Sequence, residues 1–166
     1  AYSRITVRLT ARIQETGPSR GDIPFDWIAG LDPLERTTAE PSGRIDIDFP
    51  EDFAVFDTGR FVSAETAEGT RIRVGAVENE PEGDTAFWQK ALSFHLGRFY
   101  VVEEELEAGA FSGVLFASKG AERFFYLVAV RASGDEITVA EAFFPSADAR
   151  GRRLGEVTAA LSEVGQ

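Results

Sequence analysis

Cysteine and methionine are absent from all 166 residues, and histidine occurs once, at position 95. Without thiols the chain has no disulfide, no thiolate metal centre and no cysteine nucleophile, and one imidazole excludes any site needing two from the same chain. Nothing approaches the roughly 20 apolar residues that span a bilayer. Basic side chains number 17 against 28 acidic ones, and the formal charge of −11 argues against an electrostatic grip on nucleic acid or anionic lipid. Gly109, Gly113 and Gly120 interrupt strands and turns, so no glycine-rich loop opens a helix to cradle phosphate, and Ser93, Ser112 and Ser118 lack a Gly-x-Ser-x-Gly elbow. An enzyme is therefore the weaker class, and no cofactor is called for. What is present, 43% hydrophobic and 27% charged residues, is the mixture of a globular chain able to bury a core. With no methionine even at position 1, Ala1 reads as the start of a processed, exported form or of a fragment. The expectation is the periplasm or cell envelope, with the cytoplasm as the alternative, and membrane contact only through an anchor preceding Ala1.

Residues 4–13 alternate: Ile5, Val7, Leu9, Ala11 and Ile13 fall on one side, Arg4, Thr6, Arg8, Thr10 and Arg12 on the other, which predicts a half-buried strand. From 14 to 43, glycine and proline recur too often for a regular element, and Phe25, Trp27, Ile28 and Leu31 form the one sizeable apolar cluster. That cluster is either a turn packed on the body or an anchor for a partner. Residues 1–43 thus divide from a second region, 44–166. There Ile45, Ile47 and Phe49 alternate with Asp46 and Asp48 as a strand from Arg44 that Pro50 ends, 53–56 restarts it, and strands follow at 61–65 and 70–77, joined as a hairpin across 66–69. Asp84 stands where an N-cap belongs, before Phe87, Trp88, Ala91, Leu92 and His95 at helical spacing, with Gly97 as the stop. A meander over 100–106, 111–118, 124–130 and 137–144 comes next, its third strand apolar on both faces as in the centre of a sheet. Ser146 then caps a closing helix carrying Leu154, Val157, Leu161 and Val164. Strands in runs with two separate helices predict an α+β fold, a twisted antiparallel sheet with two helices packed on it.

Asp46, Asp48, Glu51 and Asp52 are the densest carboxylate group beside a strand end, but they lack the glycine and distal glutamate of a calcium loop, and alternation turns Asp46 and Asp48 to solvent. No metal site is called. Of Glu103, Glu104 and Glu105 at most the first and third converge within a regular strand. Glu141, among Val139, Ala140, Ala142, Phe143 and Phe144, is the carboxylate expected to be partly buried, paired with Arg131 or Arg123 as a structural ion pair. His95, in the last turn of its helix, reads as a semi-buried structural residue where the helix dipole favours positive charge.

Phenylalanine is the compositional outlier, with 14 residues against 3 tyrosines and 2 tryptophans. One account is a thick aromatic core, with the helices on one face of the sheet, the N-terminal segment on the other, and Phe87, Phe94 and Phe99 packed near the middle helix. The other is an apolar groove lined by Phe87, Trp88, Phe111, Phe116, Phe124 and Phe143 that takes a hydrophobic segment or a small apolar ligand.

Residues 44–53, Arg-Ile-Asp-Ile-Asp-Phe-Pro-Glu-Asp-Phe, with the hairpin, the helix at 84–92, the strand at 124–130 and the ending helix after 137–145, resemble the PsbP-like superfamily, which includes DcrB-like lipoproteins, over residues 44–164. The resemblance implies a non-enzymatic scaffold of the bacterial envelope that binds a protein partner or a hydrophobic segment, and it brings no catalytic residues with it.

Overall fold

Period-two patterning, read strand by strand, sets up one antiparallel sheet. The computed structural model describes residues 45–57 and 61–164; the strand expected over 4–13, the stretch 14–43 and the Phe25, Trp27, Ile28 and Leu31 cluster lie outside them. The elements are β1 (Ala54–Asp57), β2 (Phe61–Glu65), β3 (Arg71–Glu78), α1 (Thr85–Leu96), β4 (Val101–Ala108), β5 (Phe111–Ala117), β6 (Phe125–Ser133), β7 (Glu136–Phe144) and α2 (Ala147–Glu163). Among the described residues the strands order β1-β2-β3-β7-β6-β5-β4, every neighbouring pair antiparallel. After the hairpin strands, α1 carries the chain across the sheet to β4. The meander then returns strand by strand until β7 pairs with β3. The predicted α+β architecture is the observed one.

The two helices lie on opposite faces, which corrects the expectation of helices on one face. Leu127 and Ala129 of β6 share a core with Leu115, Ala140, Ala142 and Phe144 and with Val157 and Leu161 of α2. The intervening residues Tyr126, Val128 and Val130 are equally buried, together with Val114 and Phe116 of β5. Above them lies α1, which packs on β5 and β6 and buries Trp88, Leu92 and Leu96. Strands apolar on both sides need cover on both sides, since each fully buried Val, Leu or Phe contributes about 1.5–3 kcal/mol that exposure would forfeit.

Both helices start where capping chemistry puts them. Asp84 Oδ1 accepts from the Phe87 amide at 2.7 Å and Ser146 Oγ from the Ala149 amide at 3.1 Å. Gly97 ends α1 in a right-handed conformation, its N–H donating to the Ser93 carbonyl at 3.0 Å. Near its start α2 is tied down by Arg153, which donates to Glu68 Oε1 and Glu156 Oε2, each at 2.8 Å, and to Asp52, while its guanidinium lies over the Phe53 ring. Arg152 reaches the other oxygen of Glu68, and these two guanidiniums hold the Glu68 carboxyl below its usual range.

Residues 45–49 are not a strand. Ile45, Ile47 and Phe49 are half-buried against the α2-side core and Asp46 and Asp48 are exposed, so the alternation survives, but no ladder forms and pairing begins only at Ala54. Alternate burial needs one apolar surface beneath the chain. A strand needs a neighbouring edge as well.

Candidate functional site

Cross-strand register assembles a charged cluster on the α1 side of the sheet. Arg73 of β3 stands directly opposite Glu141 of β7, whose other neighbour is Val128 of β6, two residues from Tyr126. Arg73 donates Nε and Nη2 to Glu141 Oε2 at 3.0 and 2.9 Å, and the Tyr126 hydroxyl donates to Oε1 at 2.8 Å. The carboxylate side chain is 1% exposed, so three hydrogen bonds offset its desolvation. Burial pushes the Tyr126 phenol well above its ordinary pKa, and the adjacent Glu141 carboxylate adds to that.

Aromatic rings continue the cluster. Tyr100 lies 6.1 Å from the rings of Phe116 and Phe124 and 6.2 Å from that of Tyr126, and Phe124 meets Phe143 at 5.5 Å. The Arg71 guanidinium sits 5.2 Å over Phe143 and that of Arg73 5.1 Å over Phe61. Burial pushes the Tyr100 phenol upward too. This is a carboxylate saturated by donors inside an aromatic and guanidinium frame, an arrangement that fixes the register of three strands.

Glu141 is fully buried where partial burial was expected, and its partner is Arg73, not Arg131 or Arg123. Arg131 pairs with Thr138 in the register, one parity away from Glu141, so it points to the opposite face, where it donates to the Val164 carbonyl at 2.7 Å and to Thr138 Oγ1 at 3.3 Å. Arg123 is taken up by Glu103 at 2.6 Å. A bulge between Val102 and Glu104 breaks the alternation of β4, so Glu103 no longer shares a side with Glu105 by simple parity. Asp46 and Asp48 remain on the solvent side of their segment and Asp52 accepts from Arg153. Among the described residues no three potential metal-ligating side chains gather.

His95 is buried in the last turn of α1 against the Phe94 ring, 5.4 Å away. Burial, and then the nearby Arg98 charge, lower its pKa.

The six proposed groove residues do not share one surface. Phe111 faces the α2-side core, whereas Phe116 and Trp88 are buried between α1 and the sheet. Phe124 and Phe143 belong to the Tyr100 frame at half-exposure, and Phe87 lies exposed in the first turn of α1 with its ring edge-on to Trp88 at 5.3 Å. Phe94, expected in the core, is 71% exposed. Its helical position signalled this, being six residues from Trp88 and off the stripe of Trp88, Leu92 and His95. Val102, 40% exposed, comes within 3.4 Å of where a Cβ on Gly97 would stand, which places it at the C-terminal end of α1. The sheet's edges carry further apolar exposure: Val101 on β4, and Val55 and Phe56 on β1.

No family model matches the chain, and no curated protein matches it. Among solved structures it is similar to a protein from Bacteroides thetaiotaomicron VPI-5482, at 9% identity and TM-score 0.48, over 72% of this chain and 44% of that one. The chain therefore spans less than half the length of that protein. It is also similar to LpqN of Mycobacterium tuberculosis, described as involved in cell envelope biogenesis, at 15% identity and TM-score 0.44, over 76% of this chain and 84% of that one.

Proposed function

We propose that the chain is a non-enzymatic scaffold of the bacterial envelope that binds a protein partner, in the manner that its resemblance to PsbP-like and DcrB-like proteins implies. The observation that carries this reading is the apolar exposure at the end of α1, where Phe94 and Val102 face solvent in a domain whose buried carboxylate is fully engaged by its own side chains. Chemistry would need an open titratable group; binding needs exposed surface. A second reading, a carrier of a hydrophobic segment or small apolar ligand, draws on the half-exposed rings of Tyr100, Phe124 and Phe143 beside Arg71.

Native mass spectrometry of the protein purified gently from its own host tests both. A stoichiometric protein complex is expected. A small-molecule adduct lost on denaturation selects the carrier instead, and a bare monomer overturns both. Recovery in the cytosolic fraction, not the envelope, overturns the location.

A further inference from the structure

We infer that the C-terminal end of α1 is a docking surface for an acidic, apolar segment of a protein partner; this rests on the partner-binding reading above and names where and by what chemistry the partner is held. Lys90, Phe94 and Arg98 are spaced by four along α1 and the right-handed turn that follows it, so they line one side of the helix, and all three are exposed. Lys119, at the end of β5, brings a third cation to the same place: its Nζ donates to the Arg98 carbonyl at 3.0 Å. These are the only two lysines of a chain that carries 28 acidic residues.

Carboxylates are abundant, yet among the described residues none pairs with Lys90, Arg98 or Lys119, while Arg73, Arg123, Arg152 and Arg153 all have acidic partners. Three uncompensated cations therefore frame an exposed phenylalanine and Val102 on an otherwise acidic molecule. A complementary ligand places apolar side chains on Phe94 and Val102 and carboxylates on the cations. A compact segment suits this better than an anionic bilayer. A planar membrane would also confront exposed Glu103, Glu104 and Glu105, which follow Val102 directly, and the charge of −11 behind them.

The test places the photo-crosslinker p-benzoylphenylalanine at position 94, and separately at position 56, in the full chain produced in its native host, with the crosslinked peptides sequenced. Position 94 is expected to capture a segment with carboxylates beside apolar residues. Lys90→Glu with Arg98→Glu should lower that yield by about tenfold at low salt, without changing the thermal melt. Phe94→Ser, at a solvent-facing position, should weaken co-purification of the same partner by a similar factor. Capture of lipid alone, capture of a neutral or basic segment, or a yield indifferent to charge reversal overturns the inference. A native complex that crosslinks only from position 56 overturns this site and leaves the scaffold reading standing, whereas no complex at all overturns the scaffold reading itself.

Discussion

The indole of Trp88 donates to Asn79 Oδ1 at 2.8 Å, joining α1 to the loop that delivers it. Asn79 uses its whole amide: Nδ2 donates to the carbonyls of Gly83 and Gly134, each at 2.9 Å, and Oδ1 also accepts from the Gly83 amide at 3.1 Å. One side chain thus holds the approach to α1, the β6–β7 turn and a core tryptophan. Asn79→Ala leaves a buried indole N–H and two carbonyls to find water, and should destabilise the fold by about 2 kcal/mol, read as a shift in the urea midpoint. A change below about 0.5 kcal/mol would show that water replaces the amide without cost.

Removing one member of the buried ion pair should cost more than removing both. Glu141→Leu takes the buried acceptor away from the Arg73 guanidinium and the Tyr126 hydroxyl, with an expected loss of about 3 kcal/mol. Glu141→Leu combined with Arg73→Met removes both charges of the pair and should lie closer to the parent than the sum of the two single changes. Additive losses in that double-mutant cycle would mean that the two side chains contribute independently.

Acid and alkali should each find one weak point. The His95 pKa is lowered in the folded state, so the unfolded chain takes up a proton more readily. Its contribution is complete above the unfolded value of about 6.5 and is lost as pH falls through that value toward the folded one. Tyr126 is the opposite case: its folded pKa is raised, so stability is complete below about 10 and declines as pH climbs from there toward the folded value. Melting temperatures of His95→Gln should vary less than the parent's between about pH 7.5 and about pH 5.5, roughly one unit above and below the His midpoint. Those of Tyr126→Phe should fall less steeply above about pH 10. Parallel curves for parent and variant would remove either residue as the cause.

Much of this fold was legible because strands and helices announce themselves locally. The predicted strand at 61–65 is β2 without change, Asp84 and Ser146 are the caps, and the two-sided apolarity of 125–130 belongs to a strand lying between β7 and β5. What stayed hidden depends on register between distant segments. Arg73 and Glu141 are 68 residues apart, and nothing near either one marks the other as its neighbour. Arg131 looked an equal candidate, yet a one-residue parity sends it through the sheet to the other face. The exposed Phe94 was readable from helical geometry, but the abundance of phenylalanine suggested a core first. Residues 45–49 mislead for a different reason, since burial alternates there without a strand to pair with.

Two turn glycines separate backbone conformation from packing. Gly109, between β4 and β5, and Gly134, between β6 and β7, both have φ of +62°, where an L-residue with a Cβ costs roughly 1–2 kcal/mol. Around Gly134 a Cβ would meet nothing within 4 Å. At Gly109 it would stand 2.8 Å from Ser162 Cα and 2.9 Å from the Ser162 carbonyl oxygen, because this turn tucks beneath the last turn of α2. That neighbour is helix backbone and cannot swing aside, so the turn or the helix end must move, adding about 1–3 kcal/mol. Gly109→Ala is therefore expected to unfold at clearly lower urea than Gly134→Ala, with the excess loss reported by faster amide exchange in the last turn of α2. Equal midpoints for the two variants would mean that the helix end yields freely, and that the closing helix is anchored by its apolar stripe and Arg153 and not by the β4–β5 turn.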